Sequence, residues 1–422
     1  MTSSNFTVLD LFSGAGGLTE GFFRNGFQFI SHIEMNTQAV KTLETRSLYH
    51  SLLAKNRKDV YFDYYTQNIS REEFLSQCTH LNLGNNGIIN QEINATTEND
   101  IINTVKKRMK NQKIKKIDII IGGPPCQAYS LIGRGRDPNS MHTDPRNTLY
   151  LHYLKFIREF SPDIFLFENV PGLISAKNGQ IYRDFLEKIN HLGYKTSEVP
   201  PIMNSADFGV LQERKRIIFI GWKEEKQFEY PTFSPINRKF KIWNLLNDLH
   251  ELEPGQGTEG LQTYRRGRPS SYLREFNIRN GFRWVRQHEA RIHNERDRVI
   301  YRIVINKWNN EQKRLKYPEL PSELKTHTNQ SSFYDRFKVV NGDGLSHAIV
   351  AHISKDGHYF IHPDINQVRS ITVREAARIQ SFPDDFLIEG SRTSKYVQIG
   401  NAVPPLMAEG IAKEIKFMLN NN

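Results

Sequence analysis

The chain has 422 residues, of which 38% are hydrophobic and 24% are charged, a composition typical of a globular protein. Its length favours two or three domains, and no stretch approaches the ~20 consecutive apolar residues of a membrane span. The only cysteines are Cys78 and Cys126, which excludes a disulfide scaffold and a cysteine-rich zinc protein. The first residues lack the pattern of a signal peptide, so we expect a cytoplasmic protein with reduced thiols.

The net charge is +11 and the isoelectric point is about 9.4. A basic protein of this kind suits a polyanionic partner such as nucleic acid, whose phosphates it can neutralise. A basic protein without such a partner is the alternative, and the total charge does not separate the two.

The first elements in the chain predict a strand, a glycine turn and a helix. Thr7 to Phe12 has the apolar pattern of a strand, the turn is Ser13-Gly-Ala-Gly-Gly17, and the helix begins near Leu18. Phe27 to Glu34 predicts a second strand that ends in an acid. Glycines at a helix amino terminus and an acid after the next strand suit a nucleotide-like cofactor and its ribose. A solvated surface glutamate is the alternative for Glu34.

A polar stretch from Lys41 to Lys116 predicts helices around an insertion, with a third strand near Ile88 to Ile93. A buried strand follows at Ile117 to Ile121, and Gly-Gly-Pro-Pro ends it just before Cys126. A thiol at the carboxyl end of such a strand lies where α/β sheets do chemistry, although a small apolar turn residue is the alternative. The loop from Gln127 to Arg136 can close over a phosphate backbone or be a flexible solvent loop.

The next segment again places a candidate functional residue directly after a buried strand. Leu149 to Phe160 has helical spacing, and Pro162 to Phe167 predicts a buried strand that delivers Glu168. A carboxylate in that position is costly unless it is paired or protonated, which favours a functional role. Arg214 and Arg216 belong to a charge cluster before another strand, and we expect them to share one face that meets an anion or a base, with a solvated edge as the alternative.

From Trp222 to Asp343 the apolar runs become short and basic residues alternate with aromatic ones, as in Phe282-Arg-Trp-Val-Arg286. This pattern suits a domain that reads nucleic acid. His288, His293 and His327 lack metal-ligand spacing, so no metal site is predicted. A short helix from Arg374 to Pro383 and a closing helix from Leu406 to Leu419 follow.

With these residues assembled, the chain resembles the DNA cytosine-5 methyltransferases. Six blocks in the family's order carry the resemblance: Asp10-Leu-Phe-Ser-Gly-Ala-Gly-Gly17, Gly122-Gly-Pro-Pro-Cys-Gln127, Glu168-Asn-Val170, Gln212-Glu-Arg-Lys-Arg216, Arg374-Glu-Ala-Ala-Arg378 and Gly400-Asn-Ala-Val403. The resemblance implies an α/β fold, a doubly wound mixed sheet of the Rossmann-like methyltransferase type, with a second, smaller target recognition domain. The expected limits are 1–221 for the catalytic domain, 222–365 for target recognition, and 366–422 for a segment that completes the catalytic domain.

The same resemblance implies S-adenosylmethionine as the cofactor and assigns the site residues. The catalytic set is Cys126, Glu168, Arg214 and Arg216. The cofactor set is Phe12, Ser13, Gly14, Ala15, Gly16, Gly17, Leu18, Glu34, Met35, Pro125, Leu149 and Asn401. The set that binds the target base or its strand is Gln127, Ser130, Asn169 and Gln212. The family's acid after the third strand has no clean match, and Glu92 is the nearest candidate.

The chemistry explains the catalytic residue types. Carbon 5 of cytosine attacks a methyl sulfonium poorly, but addition of the Cys126 thiolate at carbon 6 makes it a nucleophilic enamine carbon. Glu168 can protonate nitrogen 3 as a general acid, and Arg216 and Arg214 can hold the base carbonyl. Because a duplex conceals this face of the base, the target must be flipped out.

We therefore predict methylation of a specific double-stranded DNA sequence, by a bacterial cytoplasmic monomer that is paired with a cognate restriction endonuclease. A transfer RNA cytosine-5 methyltransferase is one alternative, but the large basic segment favours DNA. A catalytically silent DNA-binding protein is a second, which intact Cys126, Glu168 and Arg216 oppose. A nicotinamide-dependent oxidoreductase would explain only the glycine turn.

Overall fold

The computed structural model describes residues 6–84, 87–125, 148–197, 202–237, 239–326 and 334–421. The strands are β1 Thr7–Leu11, β2 Gln28–Glu34, β3 Ile88–Asn90, β4 Ile119–Gly122, β5 Ile164–Asn169, β6 Tyr194–Thr196, β7 Ile202–Asn204, β8 Gln212–Glu213, β9 Lys215–Lys223, β10 Gly257–Thr258, β11 Gln262–Thr263, β12 Trp284–Val285, β13 His288–Glu289 and β14 Ser346–His347. The α-helices are Gly17–Arg24, Thr37–Ala54, Lys58–Tyr65, Arg71–His80, Glu98–Asn111, Leu149–Phe160, Gly172–Ser175, Gln180–His191, Trp243–Leu246, Ser271–Glu275, Glu295–Glu311, Val373–Ile379, Arg392–Asn401 and Pro405–Asn420.

One large sheet organises the first half of the chain. Its strand order is β3-β2-β1-β4-β5-β9-β6, with β7 also paired to β9. The strands from β3 to β5 are parallel, whereas β9 runs antiparallel to β5, β6 and β7. The chain leaves β1 for β2 on one side and later returns as β4 on the other, so the switch point lies between β1 and β4. The predicted doubly wound mixed sheet is confirmed.

The central strands are apolar because both faces of the sheet are covered. Ile119 and Ile121 pack into one core with the helices Gly17–Arg24 and Pro405–Asn420, while Ile120 faces the opposite core with Leu149–Phe160 and Gln180–His191. This alternation gives a three-layer arrangement with the carboxyl ends of the parallel strands along one edge. The closing helix packs tightly on the first, since a Cβ on Gly21 would lie 2.3 Å from the backbone of Ala408.

Several helices go beyond the sequence prediction, among them Gln180–His191 and the two that follow. Glu295–Glu311 lies inside the segment whose apolar runs are short, and Arg392–Asn401 precedes the closing helix. The first has an Asn294 cap and acids in its first turn, but buries only a narrow apolar stripe, so its periodicity is weak. The described ranges contain no helix with the length and apolar character needed to cross a membrane.

Candidate active site

A strained turn follows β1 at the edge of the sheet. Phe12 has a φ of 56°, in the left-handed region that is uncommon for residues other than glycine, and Gly16 has a φ of 83° as it caps the first helix. Two hydrogen bonds tie the turn to the sheet. The Ser13 N–H donates to the Ile33 carbonyl of β2 at 3.1 Å, and the Ser13 hydroxyl donates to the Asp10 carbonyl of β1. The predicted glycine turn is therefore held by hydrogen bonds at a helix amino terminus.

Glu34 lies against this turn and bonds its backbone. Its Oε2 accepts a hydrogen bond from the Gly14 N–H at 2.8 Å, and its Oε1 accepts one from the Asn36 N–H at 2.8 Å. Burial raises the pKa of the Glu34 carboxyl, and the two N–H groups act in the opposite direction. Because each carboxylate oxygen has more than one acceptor position, Glu34 can also accept from a ribose hydroxyl.

Asn90, at the end of β3, is a positioning residue that the sequence analysis missed. Its side-chain amide donates to the main-chain carbonyls of Glu34 and Met35, both at 3.0 Å. Glu92, the sequence candidate for an acid at this place, is an exposed residue of the segment after the strand. The strand-end signal was present in the sequence, but an amide there does not by itself indicate a contact.

The remaining predicted cofactor residues lie around the same edge. Met35 is 59% exposed and Pro125 is exposed, so both present apolar surface outside the core. Leu149 begins the helix that packs beneath β4 and β5. Exposed Asn401 precedes a turn that abuts the first helix, where a Cβ on Gly17 would lie 2.2 Å from the Val403 carbonyl oxygen. A glycine turn at a helix amino terminus, an acid and exposed apolar side chains fit a nucleoside-type cofactor.

A polar pair lies at the ends of β5 and β9. Arg216 Nε lies 2.8 Å from Glu168 Oε1, and each side chain is 13% exposed. β5 delivers Glu168 from its apolar run, and the antiparallel β9 brings Arg216 to the same end of the sheet. A carboxylate beside a guanidinium can bind a planar polar ring through a donor and an acceptor at once.

The Gly122–Pro125 loop is held against this pair. Asn169 is buried, and its side-chain amide donates to the Pro124 carbonyl at 3.2 Å. Gly123 lies so close to Glu168 that an added Cβ would be 2.6 Å from Glu168 Oε2. Asn169, predicted to bind substrate, therefore joins the loop to β5.

Arg214 and Gln212 have different surroundings from those predicted. The Arg214 guanidinium is buried and donates to the carbonyls of Ile349 and Gly400, whereas Arg216 contacts Glu168, so the expected common face is wrong. The reason is a break in strand pairing: β8 pairs with β14 and β9 pairs with β5. The buried Gln212 side chain donates hydrogen bonds to the Ile379 carbonyl and to the Gln380 side chain, and it accepts one from the Ile349 N–H.

Cys126, Gln127 and Ser130, and with them the predicted lid from Gln127 to Arg136, lie outside the described residues. The nearest described residue is Pro125, which directly precedes Cys126 in the chain. The catalytic role of Cys126 stays a prediction that rests on the sequence and on the position of this loop.

The fold is a doubly wound α/β sheet whose edge carries a glycine turn bonded to Glu34 and a carboxylate–guanidinium pair, Glu168 and Arg216. The family model for C-5 cytosine-specific DNA methylases matches residues 6–72 and 88–417. A type II methyltransferase of Bacillus paralicheniformis is 40% identical, over 98% of this chain and 99% of that protein. A type II methyltransferase of Desulfomicrobium norvegicum is 30% identical, over 98% of this chain and 89% of that protein.

A solved structure described as a DNA modification methyltransferase encoded within an E. coli prophage has a TM-score of 0.64 at 23% identity, with 98% and 99% of the two chains covered. That likeness shows the fold. The chain belongs to the C-5 cytosine-specific DNA methylase family. The predicted enzyme class, DNA (cytosine-5-)-methyltransferase, is confirmed.

Proposed function

We propose that this enzyme moves a methyl group from S-adenosylmethionine to carbon 5 of a flipped cytosine in a specific double-stranded DNA sequence. The observation that carries the proposal is the Glu168–Arg216 pair, held against the loop that leads directly to Cys126. When bound, the cofactor supplies an electrophilic methyl group on a sulfonium.

The cofactor would lie against the turn from Phe12 to Leu18. Backbone N–H groups at the start of the first helix favour the anionic carboxylate of a methionine moiety. Glu34 would accept from the ribose hydroxyls, and Met35 and Pro125 would cover the adenine with apolar surface. Leu149 and Asn401 would border the same site.

Cys126 would act as the nucleophile at carbon 6 of the base. The sulfur–carbon bond forms as electron density moves toward nitrogen 3, and Glu168 would deliver the proton that this nitrogen takes up. Arg216 would donate to the base carbonyl while it holds Glu168. With the methyl group on carbon 5, loss of the carbon 5 proton to a base, departure of the thiolate and return of the nitrogen 3 proton to Glu168 would restore the ring.

The other predicted residues take supporting roles in this proposal. Arg214, Gln212 and Asn169 would position the catalytic strand ends through their contacts with main-chain and side-chain groups. Residues 222–365 would form the target recognition domain, and 366–422 would complete the catalytic domain. Gln127 and Ser130 would contact the DNA strand. A monomer that protects bacterial DNA from a cognate restriction endonuclease is the biological role we infer.

The test is transfer of labelled methyl groups from S-adenosylmethionine to duplex DNA and, in parallel, to transfer RNA. We expect label in DNA at one short sequence, found by single-nucleotide sequencing of 5-methylcytosine. Arg216→Ala should lower kcat by about 10²–10⁴-fold, since it removes a preorganised donor. Label in transfer RNA alone would reject the DNA substrate, and full activity of Arg216→Ala would reject the role of the pair.

A further inference from the structure

An open pocket of about 310 Å³ lies apart from the catalytic residues, where three chain segments meet. It is lined by the segment after β13, by the loop around Lys355, and by the start of the helix Arg392–Asn401. None of the residues assigned above to cofactor or base lines it.

Arg291 is a buried residue of the pocket wall, and its side chain is held by two contacts. Its side chain is 8% exposed, its Nη2 donates to the Ile353 carbonyl at 2.5 Å, and its guanidinium lies 4.4 Å from the centre of the Tyr396 ring. Its enclosed Nη1 has no hydrogen-bond partner among the residues that the structure describes. A buried donor without an acceptor is costly, so an anion that enters the pocket would relieve that cost.

The helix amino terminus adds a second set of donors. Arg392 and Thr393, at its first two positions, line the pocket, and Ser391 caps the N–H of Ser394. The first N–H groups of a helix lack partners within the helix and carry the positive end of its dipole. The helix has ten residues, so the pocket combines a helix terminus with a fixed guanidinium.

The charge of the lining favours a singly charged anion. The cations of the lining are Arg291, Lys355 and Arg392, and its carboxylates are Asp297 and Asp356. Outside the lining, Glu289 lies 3.8 Å from Arg392 and Arg296 lies 3.7 Å from Asp297, so these two partners leave the balance unchanged. The neighbouring histidines add no charge near neutral pH, because burial lowers the pKa of His293 to about 4 and also lowers that of His358. One excess positive charge matches a phosphodiester better than a doubly charged phosphate.

Ile292 extends this surface with an apolar group. It is 84% exposed, although Arg291 before it is buried. An apolar side chain beside a phosphate site can pack on a deoxyribose.

We propose that this pocket binds one backbone phosphodiester of the DNA duplex, away from the flipped base, with Arg291, Lys355, Arg392 and the helix amino terminus as its donors. The proposal rests on the proposed function in that it needs duplex DNA as the substrate. The contact would add affinity without reading sequence.

The experiment measures binding of a duplex by fluorescence anisotropy at several salt concentrations, without cofactor, for the wild type, Lys355→Gln, Arg392→Gln and the double variant. Lys413→Gln, which changes an exposed lysine of the closing helix, is the matched control. Each single variant should reduce the slope of log K against log salt by up to about 0.9, the value for one phosphate. The double variant should reduce it by about 0.9 in total, since both cations contact one phosphate.

A double variant with the slope of the control, or with a reduction of about 1.8, the value for two phosphates, would overturn the proposal. A second arm replaces chloride with inorganic phosphate at constant ionic strength. Phosphate-specific inhibition in the wild type, combined with unchanged DNA slopes in the variants, would mean that the pocket binds a free anion and would also overturn it. If the wild type fails to bind any duplex, the proposed function fails instead.

Discussion

The substitution Gly123→Ala tests how closely the loop before Cys126 is fitted to Glu168. The added Cβ would lie 2.6 Å from Glu168 Oε2, whereas an ordinary contact begins near 3.4 Å. Gly123 has no positive φ, so alanine can adopt its backbone conformation. The clash must therefore be relieved by movement of about 0.8 Å, and the carboxylate at the end of the Glu168 side chain moves more easily than the backbone.

A displacement of this size in a catalytic group costs roughly 10²-fold in rate. We expect kcat for DNA methylation to fall by about that factor, while the free energy of unfolding changes by less than about 1 kcal/mol. Steady-state kinetics and urea denaturation measure the two effects. Gly84→Ala is the control, because its Cβ would meet nothing within 4 Å. A Gly123→Ala enzyme with the kcat of the wild type would refute this account of the loop.

Three further predictions concern binding and stability. Asn90→Ala removes the two hydrogen bonds that the Asn90 amide donates to the turn after β2. KM for S-adenosylmethionine should therefore rise about tenfold while kcat stays the same. A fall in kcat of about tenfold would contradict a pure positioning role. Burial lowers the pKa of His288 to about 4 and of His362 to about 3, so stability should fall as pH drops from about 6.5 toward 4. Between pH 7 and pH 5.5, each histidine should lower the free energy of unfolding by about 1 kcal/mol, measured by urea titration. Equal free energies of unfolding at the two pH values would exclude the effect. Arg378→Met leaves the buried carboxylates of Asp384 and Asp248 without this cation and should cost about 3–5 kcal/mol of unfolding free energy; a loss below 1 kcal/mol would show that the network is dispensable.

The sheet could be predicted because its signal is local. β4 and β5 are short apolar runs that a turn or a polar residue ends, and their burial on both faces needs no knowledge of distant contacts. The same runs placed Glu168 at a strand end. The helix Glu295–Glu311 was harder to predict, since its buried residues form only a narrow stripe.

Side-chain partners were less accessible from the sequence, because they join distant parts of the chain. Arg214 bonds main-chain carbonyls that lie 135 and 186 residues further along, so its residue type gave no sign that it faces the interior. Asn90 acts on a turn 55 residues before it. Residue type and spacing indicated that an acid and two arginines take part in the site. The fold determines that Arg216, and not Arg214, contacts Glu168.

Covalent catalysis by Cys126 is the central claim, and DNA that carries 5-fluorocytosine at the methylated position tests it most directly. Fluorine replaces the proton that must leave carbon 5, so the thiolate cannot depart after methyl transfer and the adduct persists. With S-adenosylmethionine present, the wild type should form an enzyme–DNA complex that survives denaturing electrophoresis, and Cys126→Ala should form none. Absence of the complex with active wild-type enzyme, or an undiminished complex with Cys126→Ala, would contradict the account.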